Sequence, residues 1–328
     1  MTDKRLVQLT GNSTLAVSLP KEWARRYNIK KGTELSISDA GNGSLVVTTD
    51  KSNGEKEKAI INVDNATNLE ELRRKFIAMY LAGFELITFK SSKKISHETR
   101  QVVLTEVRRL IGLEVTDENP NEIAVQDFFS HEDLSVEKSL RRAHLLTSGM
   151  YEDFTTAFAD RNSDLVTKVI SRDDEIDRLK FLLLRQLSLA LKDVKILREI
   201  NLNANDCVNY AVIIRNIEHI ADKIIKAMKY FSEVINIKLP PELNKHFESI
   251  IEETYDIYTK SLESFLKRDV KTANSVLEMR RQLITEQEVL ERIIKKPDVR
   301  FQYSMILEAM IEIAGYSAEI AEVTINQG

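Results

Sequence analysis

The spacing of apolar residues changes twice along the chain. Over residues 1–50 they alternate in short runs: Val7–Leu9, Leu15–Leu19, Leu35–Ser38 and Leu45–Thr48. Alternation of that length predicts half-buried strands. Gly11-Asn12, Gly32 and Gly41-Asn42-Gly43 stand between the runs as turn signals. Pro20 suits the first turn of a helix and opens a short one through Tyr27. Trp23, the single tryptophan, is expected in a core on that helix. Residues 51–58, KSNGEKEK, read as a polar linker. Strand and helix then alternate over 59–128. Ala59–Val63, Glu85–Phe89, Leu113–Val115 and Ile123–Phe128 predict strands, and Leu69–Leu81 and His97–Ile111 predict helices. This is the pattern of a small α/β unit with a mixed sheet.

From residue 133 the period lengthens to roughly 3.5, as in Leu165, Val169, Ile176, Leu179, Leu183 and Leu187. It predicts six long helices, at about 134–159, 162–192, 204–235, 242–267, 270–295 and 298–325. Three helices followed by three of similar length indicate an internal duplication with a period near 107, so that Arg161 corresponds to Arg268. The expected fold class is multi-domain and mostly α. A β-rich head (1–50), a linker (51–58) and a small α/β unit (59–128) precede a helical body (133–328) of two three-helix bundles, about 133–236 and 242–326.

Composition agrees with this division. The chain has only ten glycines and five prolines, and seven of the glycines fall in residues 1–112. Between Gly149 and Gly315 there is none, which leaves little room for strands and tight turns. The net charge of −4 argues against a nucleic-acid binder on average, but residues 1–38 carry seven Lys/Arg against three Asp/Glu. A basic head on an acidic body keeps nucleic acid in play for the head alone. One cysteine, Cys207, forms no intramolecular disulfide and reads as a small buried apolar residue. No apolar run is long enough to cross a membrane. The expected location is the cytoplasm, without membrane insertion.

Two constellations bear on chemistry. Asp173 and Asp177 are spaced i,i+4, as are Glu218 and Asp222, so each pair shares one helix face. Like charges at that spacing repel mildly, and two such pairs facing each other need a cation, either a hard divalent metal or iron. The plainer reading is a solvated face balanced by Arg172, Arg178, Lys180, Arg215 and Lys226. In the duplicated half the matching positions are Arg280 and Ile284, while Glu308 and Glu312 keep i,i+4 spacing, or Glu312 faces Tyr316 in another register. Five scattered histidines form no zinc motif, although His219 adjoins Glu218. No pairing of nucleophile and base is visible, and the chain is not expected to be an enzyme. The second constellation is the basic head. Short strands flanked by Lys and Arg suit a DNA groove, or alternatively a dimerisation domain with an ordinary charged surface.

Residues 4–49 resemble the SpoVT/AbrB (MazE-like) DNA-binding domain. The resemblance rests on the strand with Arg5, on Gly11, on Val17-Ser18-Leu19-Pro20-Lys21 with Trp23, and on Ile29-Lys30-Lys31-Gly32-Thr33-Glu34-Leu35. It implies an intertwined homodimer of swapped hairpins that presents Lys4, Arg5, Lys21, Arg25 and Arg26 to DNA, with Arg5 and Lys21 foremost. Residues 133–328 resemble the PhoU family through Asp173-Asp174-Glu175-Ile176-Asp177-Arg178-Leu179 and Ile217-Glu218-His219-Ile220-Ala221-Asp222. In that family such motifs bind metal clusters. The resemblance therefore implies a divalent metal or iron at Asp173, Asp177, Glu218 and Asp222. It also departs from the family's pattern in having His219 where Arg usually stands.

Together the resemblances imply a phosphate-responsive regulator of phosphate uptake. Its dimeric head would bind DNA, and its body would sense metal, phosphate or a transporter partner. A second reading makes it a post-translational regulator of an ABC-type phosphate transporter, or a partner of another phosphate-signalling protein, with a head that only dimerises. A third, a metal-dependent phosphoesterase, lacks a visible nucleophile.

Overall fold

A computed structural model describes residues 4–41, 43–49, 57–64, 68–129, 135–170, 172–293 and 297–327. The chain divides into two compact units, Met1–Lys56 and Glu57–Gly328.

The first unit is the head. Strands β1 (Gln8–Thr10) and β2 (Thr14–Ala16) pair antiparallel, and Gly11 takes the left-handed backbone (φ +66°) that the reversal between them needs. Helix α1 (Lys21–Arg26) follows Pro20. Strands β3 (Leu35–Gly41) and β4 (Ser44–Thr49) form a second antiparallel pair, with a register shift between Asp39 and Gly41. Among the described residues of the head none is buried. The linker expected at 51–58 lies almost wholly outside the described residues.

The second unit opens with the α/β segment. Strand β5 (Lys58–Asn62) precedes helix α2 (Leu69–Leu81) and strand β6 (Leu86–Lys90). Helix α3 (His97–Arg109) then leads to strands β7 (Leu113–Asn119) and β8 (Glu122–Asp127). The sheet order is β5-β6-β8-β7, mixed as expected: β5 and β6 run parallel, and the remaining pairs are antiparallel. Leu72, Phe76 and Tyr80 recur every fourth residue on α2, so one face of that helix enters a core with Ile87, Phe89, Val103, Ile123 and Val125. Phe76 meets Phe89 edge to face at 4.9 Å. Asn68 and Ser96 cap α2 and α3 by accepting from the backbone N–H groups of Glu71 and Thr99.

The body begins with α4 (Val136–Asp160), α5 (Asp164–Ile170), α6 (Asp173–Lys192), α7 (Val194–Glu199) and α8 (Ala204–Val234). It continues with α9 (Pro241–Lys267), α10 (Val270–Ile293) and α11 (Pro297–Gln327). The single helix expected at about 162–192 is two helices. Asp173, Asp174 and Glu175 favour a helix N-terminus over an interior, and α6 starts with them. A short helix, α7, also stands in the gap left between the helices expected at about 162–192 and 204–235, and the Asp193 side chain caps it by accepting from Lys195 N–H. The duplication is visible in the backbone. Arg161 after α4 and Arg268 after α9 both adopt left-handed φ, +56° and +54°. In each case the next residue's N–H returns to a carbonyl five positions back, Asn162 to Ala157 and Asp269 to Ser264. One contiguous hydrophobic core runs through both helix triplets. Phe158 of α4 lies between Phe231 of α8 (5.1 Å) and Phe247 of α9 (5.9 Å). Cys207 is buried in this core. Among the described residues no helix is long and apolar enough to cross a membrane.

Candidate functional site

On the head, Lys21 and Arg25 lie one turn apart on α1, and Arg26 follows. All three are exposed, as are Lys4 and Arg5 before β1. Arg25 and Arg26 fall in the last helical turn, where the negative end of the helix dipole favours cations. Trp23 is half-buried and meets the Tyr27 ring at 5.6 Å. The expectation of a core tryptophan does not hold within this chain's own head, since the head encloses no core of its own among the described residues.

On the body, the Asp177 and Glu218 carboxylates meet across a lysine. The Lys180 ammonium donates to Asp177 Oδ1 (2.7 Å) and to Glu218 Oε1 (2.5 Å), bridging α6 and α8. Burial works against its charge. The bonds and fields of Asp177 and Glu218 outweigh burial and raise its pKa above the usual lysine value, so the site holds a fixed cation at neutral pH. Asp177 Oδ2 also accepts from Arg109 Nη2 of α3 at 2.6 Å. That arginine ties the α/β segment to the carboxylate site and lies 68 positions away in sequence.

The other oxygen of Glu218 faces His219 Nδ1 at 3.2 Å. Glu218, His219 and Asp222 each place one potential ligand atom within 4.8 Å of the others. The His219 ring rests against Tyr316 of α11 at 5.0 Å between centroids. Asp173 is the first residue of α6, and its side chain lies outside what the structure describes. Of the four carboxylates expected to hold metal, Asp177 and Glu218 are thus joined through Lys180. Glu218 and Asp222 are joined to each other with His219. Glu218, His219 and Asp222 are the set whose oxygen and imidazole ligand atoms lie close enough together to hold a cation, with Glu218 Oε1 already accepting from Lys180.

In the second half, Glu308 and Glu312 of α11 face lysines of α8. Lys223 donates to Glu312 Oε1 at 2.7 Å, and Lys226 reaches both glutamates at 3.4 Å. Burial pushes the Glu312 carboxyl up, but the two lysines outweigh it and hold it below the usual range. Sequence reading had Lys180 and Lys226 only as members of a solvated charged face. Arg109 gave no sequence signal and Tyr316 was visible only as a possible i,i+4 neighbour of Glu312, because their contacts are set by the packing of distant segments.

With this geometry in view, the chain was compared with known proteins. Residues 8–55 match the family described as antidote-toxin recognition MazE, bacterial antitoxin. Residues 140–230 match the PhoU domain. Over that stretch the body is similar to the PhoU domain. The α4–α8 segment contains the residues matched to the PhoU domain, and the head contains those described here that are similar to MazE. The crystal structure of PhoU from Pseudomonas aeruginosa is similar, with a TM-score of 0.51 and 19% identity, over 58% of this chain and 93% of that one. The phosphate transport system regulatory protein PhoU from Streptococcus pneumoniae gives a TM-score of 0.49 and 17% identity, over 58% and 91%. The first of these likenesses establishes a PhoU-like fold for the body. A search of curated proteins found no match.

Proposed function

We propose that this chain is a phosphate-responsive regulator of phosphate uptake that binds DNA as a homodimer through its head. The observation that carries the reading is the head itself. Two separate two-stranded pairs with no buried residue among those described do not make a stable unit in water. Leu6, Leu9, Leu15, Ile37 and Leu45 are each at least 66% exposed, which is far more apolar surface than a finished small domain shows. A second copy supplies the missing cover by isologous pairing of the same strands. The pairing also doubles the set Lys4, Arg5, Lys21, Arg25 and Arg26. Such a set neutralises backbone phosphates and positions strands at a groove.

The PhoU domain is the sensing half. Its signal comes from a phosphate-transporter component, or from a divalent metal or iron at Glu218 and Asp222 with His219 beside them. Asp177 joins that site only when Lys180 leaves Asp177 and Glu218. Occupancy of the body shifts the population between pairing states of the heads. The lysine already balancing these carboxylates supports a regulator over a metal-dependent phosphoesterase.

A genome-wide map of where the protein sits on DNA, in phosphate-rich and phosphate-poor growth, tests this reading. Occupancy upstream of phosphate-transport genes that changes between the two conditions is expected. No enrichment in either condition overturns the DNA-binding half. The post-translational reading would then stand, with a head that only dimerises.

A further inference from the structure

We propose that the outer edge of strand β5 is a second contact between copies of this chain. There β5 pairs antiparallel with β5 of a second copy, which joins the two four-stranded sheets into one.

Among the described residues β5 has a neighbouring strand on one side only, β6. Leu86 N–H donates to the Glu57 carbonyl, and Val63 N–H donates to the Lys90 carbonyl. Along a strand the backbone groups of alternate residues point to opposite sides. Glu57, Ala59, Ile61 and Val63 therefore serve β6, and Lys58, Ile60 and Asn62 turn their N–H and C=O groups to the outer edge. The same three residues carry the exposed side chains, while Ala59 and Ile61 are buried. Ile60 is 68% exposed, the most of any large apolar residue described in the α/β segment.

The two outer strands of the sheet differ. β7 carries Glu114, Asp117 and Glu118, and its register shifts between Val115 and Asp117. Charge and an irregular register both keep an edge from pairing. β5 holds an unbroken register with β6 from Lys58 to Asn62, and Lys58 is its only charged residue. A regular edge with an apolar centre is a template for another strand.

The strand is complementary to itself. With the two-fold axis at Ile60, Ile60 lies opposite Ile60 of the second copy, and Lys58 lies opposite Asn62. No like charges face each other across the junction. Each facing pair exchanges N–H···O bonds in both directions, because all three residues already point outward. Tethering favours a second copy over a foreign strand. Eight residue steps join Thr49, which ends β4, to Glu57, so the chain between them spans at most about 29 Å. Paired heads thus hold a second β5 near the first at roughly millimolar effective concentration. The tether rests on the dimeric head proposed above, and the edge geometry does not.

Oxidative cross-linking of the full-length protein on non-reducing gels, with sedimentation alongside, tests the proposal. Cys207 is 1% exposed, so the parent is expected to give no linked dimer. Ile60→Cys is expected to link about tenfold or more faster than Glu114→Cys on the far edge. Facing Cα atoms in such a pair stand about 5.5 Å apart, within reach of a disulfide. In a mixture, Lys58→Cys and Asn62→Cys chains are expected to link to each other and not to themselves. Adding Ile60→Pro removes an outward N–H that β6 does not use. It is expected to abolish that mixed link while circular dichroism stays unchanged. A dimer by sedimentation in which Ile60→Cys links no faster than Glu114→Cys overturns the proposal and leaves the dimeric head standing. A monomer without a link overturns both. Linking of Ile60→Cys in cells to a chain of another mass gives the edge to a foreign strand and also overturns the proposal.

Discussion

Arg185 and Asp127 form an ion pair at 2.6 Å with both side chains withdrawn from solvent, at 2% and 3% exposure. Arg185 belongs to α6 of the body and Asp127 ends strand β8. The guanidinium also donates to the carbonyls of Tyr80, Gly83 and Phe84, at the C-terminal end of α2, and lies over the Tyr80 ring at 4.7 Å. A helix C-terminus leaves carbonyls unpaired and carries partial negative charge, so a cation there is doubly favoured. This cluster makes the α/β segment and the body one compact unit.

Removing one member of such a pair leaves a buried charge without compensation. Asp127→Asn is therefore expected to lower stability by about 3–5 kcal/mol in urea denaturation. Equal stability of the parent and Asp127→Asn would show that the pair contributes nothing to holding the two parts together.

Gly83 probes the same junction sterically. It has φ +91°, and a Cβ there would lie 2.6 Å from Leu189 Cδ2 of α6. Gly83→Ala thus meets both backbone strain and overpacking and is expected to lose about 1–3 kcal/mol. A thermal melt within a degree of the parent's would contradict the packing.

Arg161 and Arg268 occupy matching left-handed positions yet predict opposite outcomes. Arg161 Nη1 donates to the carbonyls of Val234 and Ile237 and to Tyr303, and its Nη2 donates to Asn244. Arg268 is 75% exposed and, among the described residues, has only a 4.0 Å contact with Asp206. Glycine relieves the left-handed strain at both sites, worth about 1 kcal/mol. Arg268→Gly is expected to stabilise by up to that amount. Arg161→Gly is expected to destabilise by about 2 kcal/mol, because the charged hydrogen bonds it loses outweigh the relief. Denaturation of both variants side by side checks the signs.

Much of this architecture is legible in the sequence because it follows from local spacing. Leu72, Phe76 and Tyr80 mark the buried face of α2, Gly11 marks a turn, and Arg161 and Arg268 mark the repeat. The break between α5 and α6 is less so, since the apolar period runs on through it and only the run Asp173-Asp174-Glu175 signals a new start. The i,i+4 carboxylates are visible on one line of sequence, but what balances them is not. Lys180 was legible as a nearby cation. Its reach to Glu218 on another helix, and the arrival of Arg109 at Asp177, depend on how α3, α6 and α8 pack.

Lys180 gives a pH signature of definite sign. Its pKa in the folded protein lies above the unfolded value of 10.5. Its contribution to stability is therefore complete below about pH 10.5 and declines as pH rises through the folded pKa. Lys180→Met should flatten the alkaline limb of the stability profile. It should also strengthen Mn²⁺ binding by the Glu218–His219–Asp222 set, because Glu218 regains a free oxygen. Unchanged Mn²⁺ affinity in that variant, followed by calorimetry, would exclude Glu218 as a ligand.

The central claim is that the head binds DNA. The most direct test is the salt dependence of binding of the full-length protein to duplex DNA from upstream of phosphate-transport genes, read by fluorescence anisotropy. The account predicts an affinity that falls steeply with salt. It also predicts a log–log slope reduced by about two to four in the Arg5→Ala, Lys21→Ala double variant, whose dimer loses two cations from each chain. Binding that is absent, or equally salt-dependent in the parent and the variant, would contradict it.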